Sequence, residues 1–363
     1  MNTDPATEAA ERHADVRRDH GFHPVVVKDV IDETADTRTY VVDVPRDLRD
    51  LFGYRAGQFC TVRAEIDGED VLRCYSMSSA PTVDADLAVT VKRVPGGAMS
   101  NWLHDHICVG DTMHLTRPAG TFCSADAAAP LVGFCGGSGV TPVISIVKDA
   151  LSTTSRSVKV LVANRDAASV IFRDELARLA VQHGGRLEVQ HHLDSDGGYL
   201  DPATVRAFIA GTAGAEMFIC GPTPFMDLVE GALSAAGVEP GRIAIERFVA
   251  GWSPGVSPSG GAPDPAFEDV VVETLTLIVK GKKHVLDYVV GDTVLDTARR
   301  GGVKTPFSCE LGNCATCMAV VRDGAVTMRA NNSLTPAEID EGWVLTCQAM
   351  PTAPGTTIAF EGF

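Results

Sequence analysis

Positive charge is scarce in this chain. Across 363 residues, 31 Lys and Arg stand against 47 Asp and Glu, a formal net charge of −16. So acidic a surface is repelled by phosphate backbones and anionic lipid, which argues against nucleic acid and membrane as partners. Long apolar runs are missing too: no stretch of about 18 apolar residues occurs, so no membrane span is expected. The opening stretch, polar and mixed in charge, holds no apolar segment of a secretory signal, and a cytoplasmic location follows as the default. No internal repeat is found. With 45% hydrophobic and 21% charged residues, the chain is not disordered as a whole. Its length favours two or three domains.

Pattern divides the chain into five parts. Residues 1–21 read as a flexible tail. Residues 22–126 hold short alternating runs bounded by Gly, Pro and Asp, as in an antiparallel β-barrel, with one helix near Met99–Ile107. Residues 127–249 alternate strand and helix, which predicts an α/β domain with a mostly parallel sheet. Residues 250–268 are rich in Pro, Gly and Ser and read as a linker. Residues 269–363 open with a hairpin around Gly281 and a helix at Val294–Arg300, as expected for an α+β domain.

Four of the ten cysteines lie in that last part. Cys309, Cys314, Cys317 and Cys347 are spaced C-x4-C-x2-C-x29-C, the plant-type [2Fe–2S] pattern. Thiolates are soft ligands suited to iron–sulfur clusters. The loop PFSCELGNCATC places small residues between ligands, where backbone N–H groups can approach sulfur. Structural zinc also takes four cysteines, but its ligands usually fall in two short pairs, and only one such pair exists here. The segment resembles plant-type ferredoxins, β-grasp hairpin included.

Arg73-Cys74-Tyr75-Ser76 ends a strand and resembles the flavin signature of the ferredoxin reductase superfamily. In that reading Arg73 pairs with the flavin phosphate, Tyr75 lies along the ring and Ser76 hydrogen-bonds near its hydride-accepting nitrogen. Val91, Lys92, Gly97, Ala98, Met99 and Ser100 end another strand and open a helix, where free N–H groups suit a pyrophosphate. His104 and His106 on that helix read as packing or surface residues. Gly137, Ser138, Gly139, Thr141 and Pro142 follow a strand as a glycine turn for a dinucleotide, with Thr141 expected as the helix N-cap and Pro142 as its first residue. Cys220, Gly221 and Pro222 follow another strand. Asn164 and Arg165 should face the adenosine ribose. With Asp166 beside Arg165, both an acid and a base are offered there, so the residues leave NADH and NADPH open.

The order of modules resembles the reductase components of multicomponent oxygenases, those of 3-ketosteroid 9α-hydroxylases first and those of phenylacetyl-CoA epoxidases next. The stretches RCYSMSSAP, VKRVPGGAMSNWLHDH, GGSGVTPVISI, FICGPTPFM and PFSCELGNCATC carry the likeness, while Cys135 stands where alanine is common. The resemblance implies FAD, NADH and a [2Fe–2S] cluster, with electrons running in that order from NADH to a terminal oxygenase, a Rieske-type steroid hydroxylase foremost. It also implies that Ser76 and Cys220 are catalytic, the latter lying against the nicotinamide, and that Phe248 covers the flavin. A monomer is favoured. A redox sensor without turnover is the rival class, and no DNA-binding motif supports it.

Overall fold

The computed structural model describes residues 21–248, 272–307, 310, 312, 315–331, 333–334 and 336–360. The expected tail up to residue 20, the linker at 250–268, and Cys309 and Cys314 lie outside the described residues.

The first sheet has six strands: β1 (His23–Thr34), β2 (Thr37–Asp43), β3 (Phe59–Ile66), β4 (Glu69–Ser76), β5 (Leu87–Lys92) and β6 (Thr112–Leu115). Their order is β4-β3-β6-β1-β2-β5, with antiparallel neighbours. The edges meet where Met77 bridges Val89 and Ser78 N–H donates to the Ala88 carbonyl at 2.9 Å, closing the barrel. Alternation along the strands turns Val25, Val27, Tyr40, Val42, Cys60 and Val62 inward, and Leu103 of helix α1 (Ala98–His106) joins them. His104 is buried and its Nε2 meets the Val91 carbonyl at 2.9 Å, while His106 stacks on Trp102, so both are packing residues as expected.

The second sheet is parallel: β7 (Leu131–Gly136), β8 (Val158–Asn164), β9 (Leu187–Leu193), β10 (Glu216–Cys220) and β11 (Ile243–Glu246), in the order β11-β10-β7-β8-β9. Helices α2 (Val140–Thr153), α3 (Arg173–Gln182), α4 (Pro202–Phe208) and α5 (Thr223–Ala235) cover it. Val160 and Val162 join one core while Leu161 between them joins the core on the other face, as a sheet covered on both faces requires. Strand order reverses between β7 and β10. In doubly wound sheets that switch point is where ligands bind, outside the carboxyl ends of the strands.

One expectation is corrected here. A 3-10 turn at Gly137–Gly139 runs straight into α2, so Gly139 is the N-cap and Thr141 and Pro142 lie inside the first turn. The Thr141 hydroxyl donates to the Ser138 carbonyl at 3.0 Å rather than capping the helix. β11 stops at Glu246 because Arg247 turns back to α5, pairing with Asp227 at 2.9 Å and Glu230 at 3.0 Å.

The third module has a five-stranded sheet: β12 (Thr274–Val279), β13 (Lys282–Asp287), β14 (Met318–Asp323), β16 (Trp343–Leu345) and β18 (Thr357–Phe360), in the order β13-β12-β18-β14-β16. A small ribbon, β15 (Val326–Met328) with β17 (Ala349–Pro351), completes it. Helix α6 (Val294–Arg300) is capped by the Thr293–Asp296 capping box and lays Val294 and Ala298 on the sheet. A short helix, α7 (Pro336–Asp340), precedes β16. Among the described residues no helix is long and apolar enough to cross a membrane.

Candidate active site

The switch point assembles residues from two modules. Gly139 packs so closely on β10 that a Cβ there would lie 2.1 Å from the Cys220 carbonyl oxygen. A Cβ on Gly221 would lie 2.9 Å from the Gly136 backbone. The two motifs are therefore interlocked, and only glycine permits it. Gly137, at φ +52°, has open space where a side chain would be, as a cradle for a dinucleotide backbone demands.

Cys220 is fully buried at the end of β10. In register it stands between Cys135 on β7 and Glu246 on β11. Burial, Glu246 and Cys135 together keep its thiol protonated. The Glu246 carboxyl accepts a 2.9 Å hydrogen bond from the Ser76 hydroxyl of the barrel. Burial pushes Glu246 up to about 7, although that hydrogen bond pulls the other way. One line of groups thus runs Cys135, Cys220, Glu246, Ser76 from the parallel sheet to the flavin motif. The role of Glu246 is not legible in the sequence: its partner is 170 residues away, and only an acid ending a strand hints at it.

The remaining flavin-motif residues are placed as follows. Arg73 is half-buried, with Nη1 on the Leu72 carbonyl at 2.7 Å. Tyr75 packs against the barrel core. Gly97 caps α1 at its N-terminus, with Ala98 the first helical residue. Beside it lies a cavity of about 430 Å³ lined by Glu65, Gly97, Ala98, Trp102, Asp105 and His106. Val91 and Met99 instead turn into the barrel core, and the Ser100 hydroxyl accepts from Val94 N–H at 3.1 Å to hold the preceding loop. Phe248 is 38% exposed and is not core. Asn164 is buried at the end of β8, and its Nδ2 has no hydrogen-bond partner, as a donor waiting on a ligand would be.

Of the four cluster cysteines, Cys317 and Cys347 are described, and both are buried. Thr346 ties them together: its N–H and hydroxyl donate to the Cys317 carbonyl at 3.1 and 2.8 Å. Gln348 Nε2 lies 3.6 Å from the Cys347 sulfur, and its contact with the Glu310 carbonyl at 2.7 Å anchors the ligand loop. Leu295, Ala315, Met318, Leu334 and Leu345 surround the pair. Two thiols beside a small-residue loop, with an amide on one sulfur, fit a thiolate-held cluster.

This loop rests on the barrel. Thr61 of β3 is buried, and its hydroxyl lies 3.1 Å from that of Thr316 and 3.5 Å from the Cys74 sulfur. Lys304 reaches Glu69 at 2.7 Å and Arg117 reaches Glu338 at 3.7 Å. A cavity of about 230 Å³ lies between, lined by Gln58, Thr116, Arg117, Thr121, Ala315 and Thr316. The flavin motif and the cluster loop are thus separated by one shared hydroxyl contact.

Three family models match the chain in sequence order. An oxidoreductase FAD-binding domain matches residues 24–123, an oxidoreductase NAD-binding domain residues 134–231, and a 2Fe-2S iron-sulfur cluster binding domain residues 277–352. Together with the geometry above they define an oxidoreductase that uses FAD, an NAD-type coenzyme and a [2Fe–2S] cluster. Among similar proteins is the 3-ketosteroid-9-alpha-monooxygenase ferredoxin reductase component of Rhodococcus rhodochrous, 39% identical over 346 residues, covering 94% of this chain and 98% of the relative. Another belongs to the 1,2-phenylacetyl-CoA epoxidase of Escherichia coli K12, 33% identical over 355 residues, covering 94% of this chain and 98% of the relative. The crystal structure of phthalate dioxygenase reductase shares the fold, with a TM-score of 0.57 at 20% identity over 95% of this chain and 99% of that one. The chain belongs to the family of flavin and iron–sulfur reductase components that deliver electrons to a terminal oxygenase.

Proposed function

We propose that this chain is the NADH-oxidising reductase of a Rieske-type steroid hydroxylase, working as a monomer in the cytoplasm. The observation that carries the steroid reading is 35–39% identity to four ketosteroid monooxygenase reductases over at least 92% of the chain.

When bound, the flavin converts a two-electron hydride donor into one-electron output, and the cluster carries the single electrons. The chain's own residues do the rest. Gly137, Ser138 and Gly139 hold the coenzyme backbone at the start of α2, with Gly221 and Pro222 as the opposite wall. Asn164 and Arg165 meet its adenosine end. Cys220 lies under the nicotinamide as a neutral thiol and excludes water. Arg73, Cys74, Tyr75 and Ser76 hold the flavin, Lys92, Gly97 and Ala98 its diphosphate, and the cavity beside Trp102 its adenosine. Ser76 and Glu246 manage the proton beside the reacting ring. Phe248 covers the ring. Cys309, Cys314, Cys317 and Cys347 hold the cluster.

Anaerobic addition of NADH to holoprotein should bleach flavin and cluster in sequence, and iron and acid-labile sulfide should be present in equal amounts. Replacing Cys309 by Ser should abolish electron delivery to one-electron protein acceptors while NADH-driven flavin reduction survives. Reconstitution should then give turnover with a steroid hydroxylase and not with a phenylacetyl-CoA epoxidase; the reverse result reassigns the partner.

A further inference from the structure

The acid expected to read the coenzyme ribose is already engaged. Asp166 caps the turn at Ala167–Ser169: its Oδ1 accepts from Ser169 N–H at 2.9 Å, and its own N–H donates to the Ser169 hydroxyl at 3.2 Å. The neighbouring Arg165 is held through its backbone, its carbonyl accepting from Ser195 N–H at 2.9 Å, while its side chain is 71% exposed. That side chain does not face solvent alone. Its Nη2 lies 3.5 Å from Oδ2 of Asp36, a residue of the barrel.

Asp36 sits in the tight turn between β1 and β2 and is firmly fixed. Its Oδ1 accepts from the Thr34 hydroxyl at 2.9 Å and from the Thr37 hydroxyl at 3.2 Å. Its backbone carbonyl accepts from Arg93 N–H at 2.7 Å. Oδ2 is thereby aimed at two cations, Arg165 at 3.5 Å and Lys92 Nζ at 3.6 Å. Partial burial pushes the carboxyl up, but the Thr34 hydroxyl, Lys92, the Thr37 hydroxyl and Arg165 together hold it below its ordinary value. It is therefore charged at neutral pH. The Arg165 pair is largely exposed and contributes little to stability.

We propose that Asp36, contributed by the flavin-binding barrel, is a specificity-determining residue that selects NADH over NADPH. This rests on the coenzyme crevice assigned above. NADP-type coenzymes carry a 2′-phosphate that needs an arginine after the second strand of the parallel sheet, and Arg165 stands there. Asp36 neutralises that arginine and sets a fixed negative charge beside the place the phosphate would take. A 2′-hydroxyl is neutral and can donate to the same carboxylate. Selectivity thus combines a repulsive element against one coenzyme with an acceptor for the other. The selecting charge lies on a different module from the sheet it acts upon.

The test uses full-length, FAD-loaded protein. Affinities for 2′,5′-ADP and 5′-AMP are measured by calorimetry, alongside flavin reduction by NADPH and NADH in stopped flow. D36N should raise affinity for 2′,5′-ADP relative to 5′-AMP about tenfold, the scale of one charge-assisted contact. D36E should restore the wild-type ratio, and adding R165A to D36N should erase the gain. An unchanged ratio in D36N overturns the proposal, as does a gain that survives R165A or a wild type that uses both coenzymes equally. If neither coenzyme reduces the flavin, the reductase reading falls, while the binding ratio still decides the role of Asp36.

Discussion

Glu246 is the residue whose chemistry the burial pattern alters most. In the unfolded chain it titrates near 4.5, and in the folded chain at about 7. The folded state therefore holds the extra proton between those values, and stability falls as pH rises through that window. The loss is at most roughly 3 kcal/mol from a shift of that size. E246Q removes the titration. Its thermal midpoint should gain on wild type as pH is raised from about 5 to about 8, and parallel curves would show that the carboxyl does not titrate there. The same substitution should flatten the pH dependence of NADH-driven flavin reduction near 7, because Ser76 then faces an amide that cannot exchange a proton. The place of Cys220 at a strand end could be read from the sequence because a Gly-Pro turn follows it. Glu246, Ser76 and Asp36 as partners could not, since each interaction joins residues brought together only when the barrel meets the parallel sheet.

At the scale of elements, the legible features were those with a local cause. Strand–helix alternation, the hairpin around Gly281 and the glycine turn after β7 all announce themselves within a few residues. The start of α2 did not, because a glycine turn in 3-10 geometry leads directly into the helix and leaves Thr141 no capping role. Contacts between distant elements decide the cost of change. G139A places a methyl against the Cys220 carbonyl and must push α2 off β10. It should destabilise by about 1–3 kcal/mol, the range for overpacking, and abolish coenzyme binding. Gly231 in α5 is the contrast: a Cβ there meets nothing within 4 Å. G231A should stabilise by about 0.5–1 kcal/mol, since alanine replaces glycine in an exposed helix interior. Chemical denaturation of both variants checks the pair.

At the scale of the molecule, exposed charge and a part-buried hydroxyl contact both join the cluster-bearing module to the barrel. Lys304 and Glu69 are 78% and 61% exposed, so their pair is weak and screened by salt. The Thr61–Thr316 hydroxyl contact and Arg117–Glu338 add to it. K304E should lower the fraction of docked module, read as the distance between spin labels on barrel and β13. Adding E69K should restore it. A docked fraction insensitive to K304E and to added salt would mean the apolar and hydroxyl contacts suffice.

The barrel seam has a consequence for the order of folding. The seam between the β4 and β5 edges is closed by the Met77–Val89 bridge, the Ser78 N–H bond to Ala88, the Ser78–Thr90 hydroxyl contact at 2.7 Å and the Ala88 N–H bond to the Ser79 hydroxyl at 2.9 Å, and the run Arg73–Ser76 proposed to hold the flavin leads straight into it. Closing the barrel and forming the flavin site are therefore one event. Amide exchange at Ser78, buried and bonded to Ala88, should slow further when flavin is added to flavin-free protein. The cofactor would then act as a further fastening on a seam that the chain itself has closed.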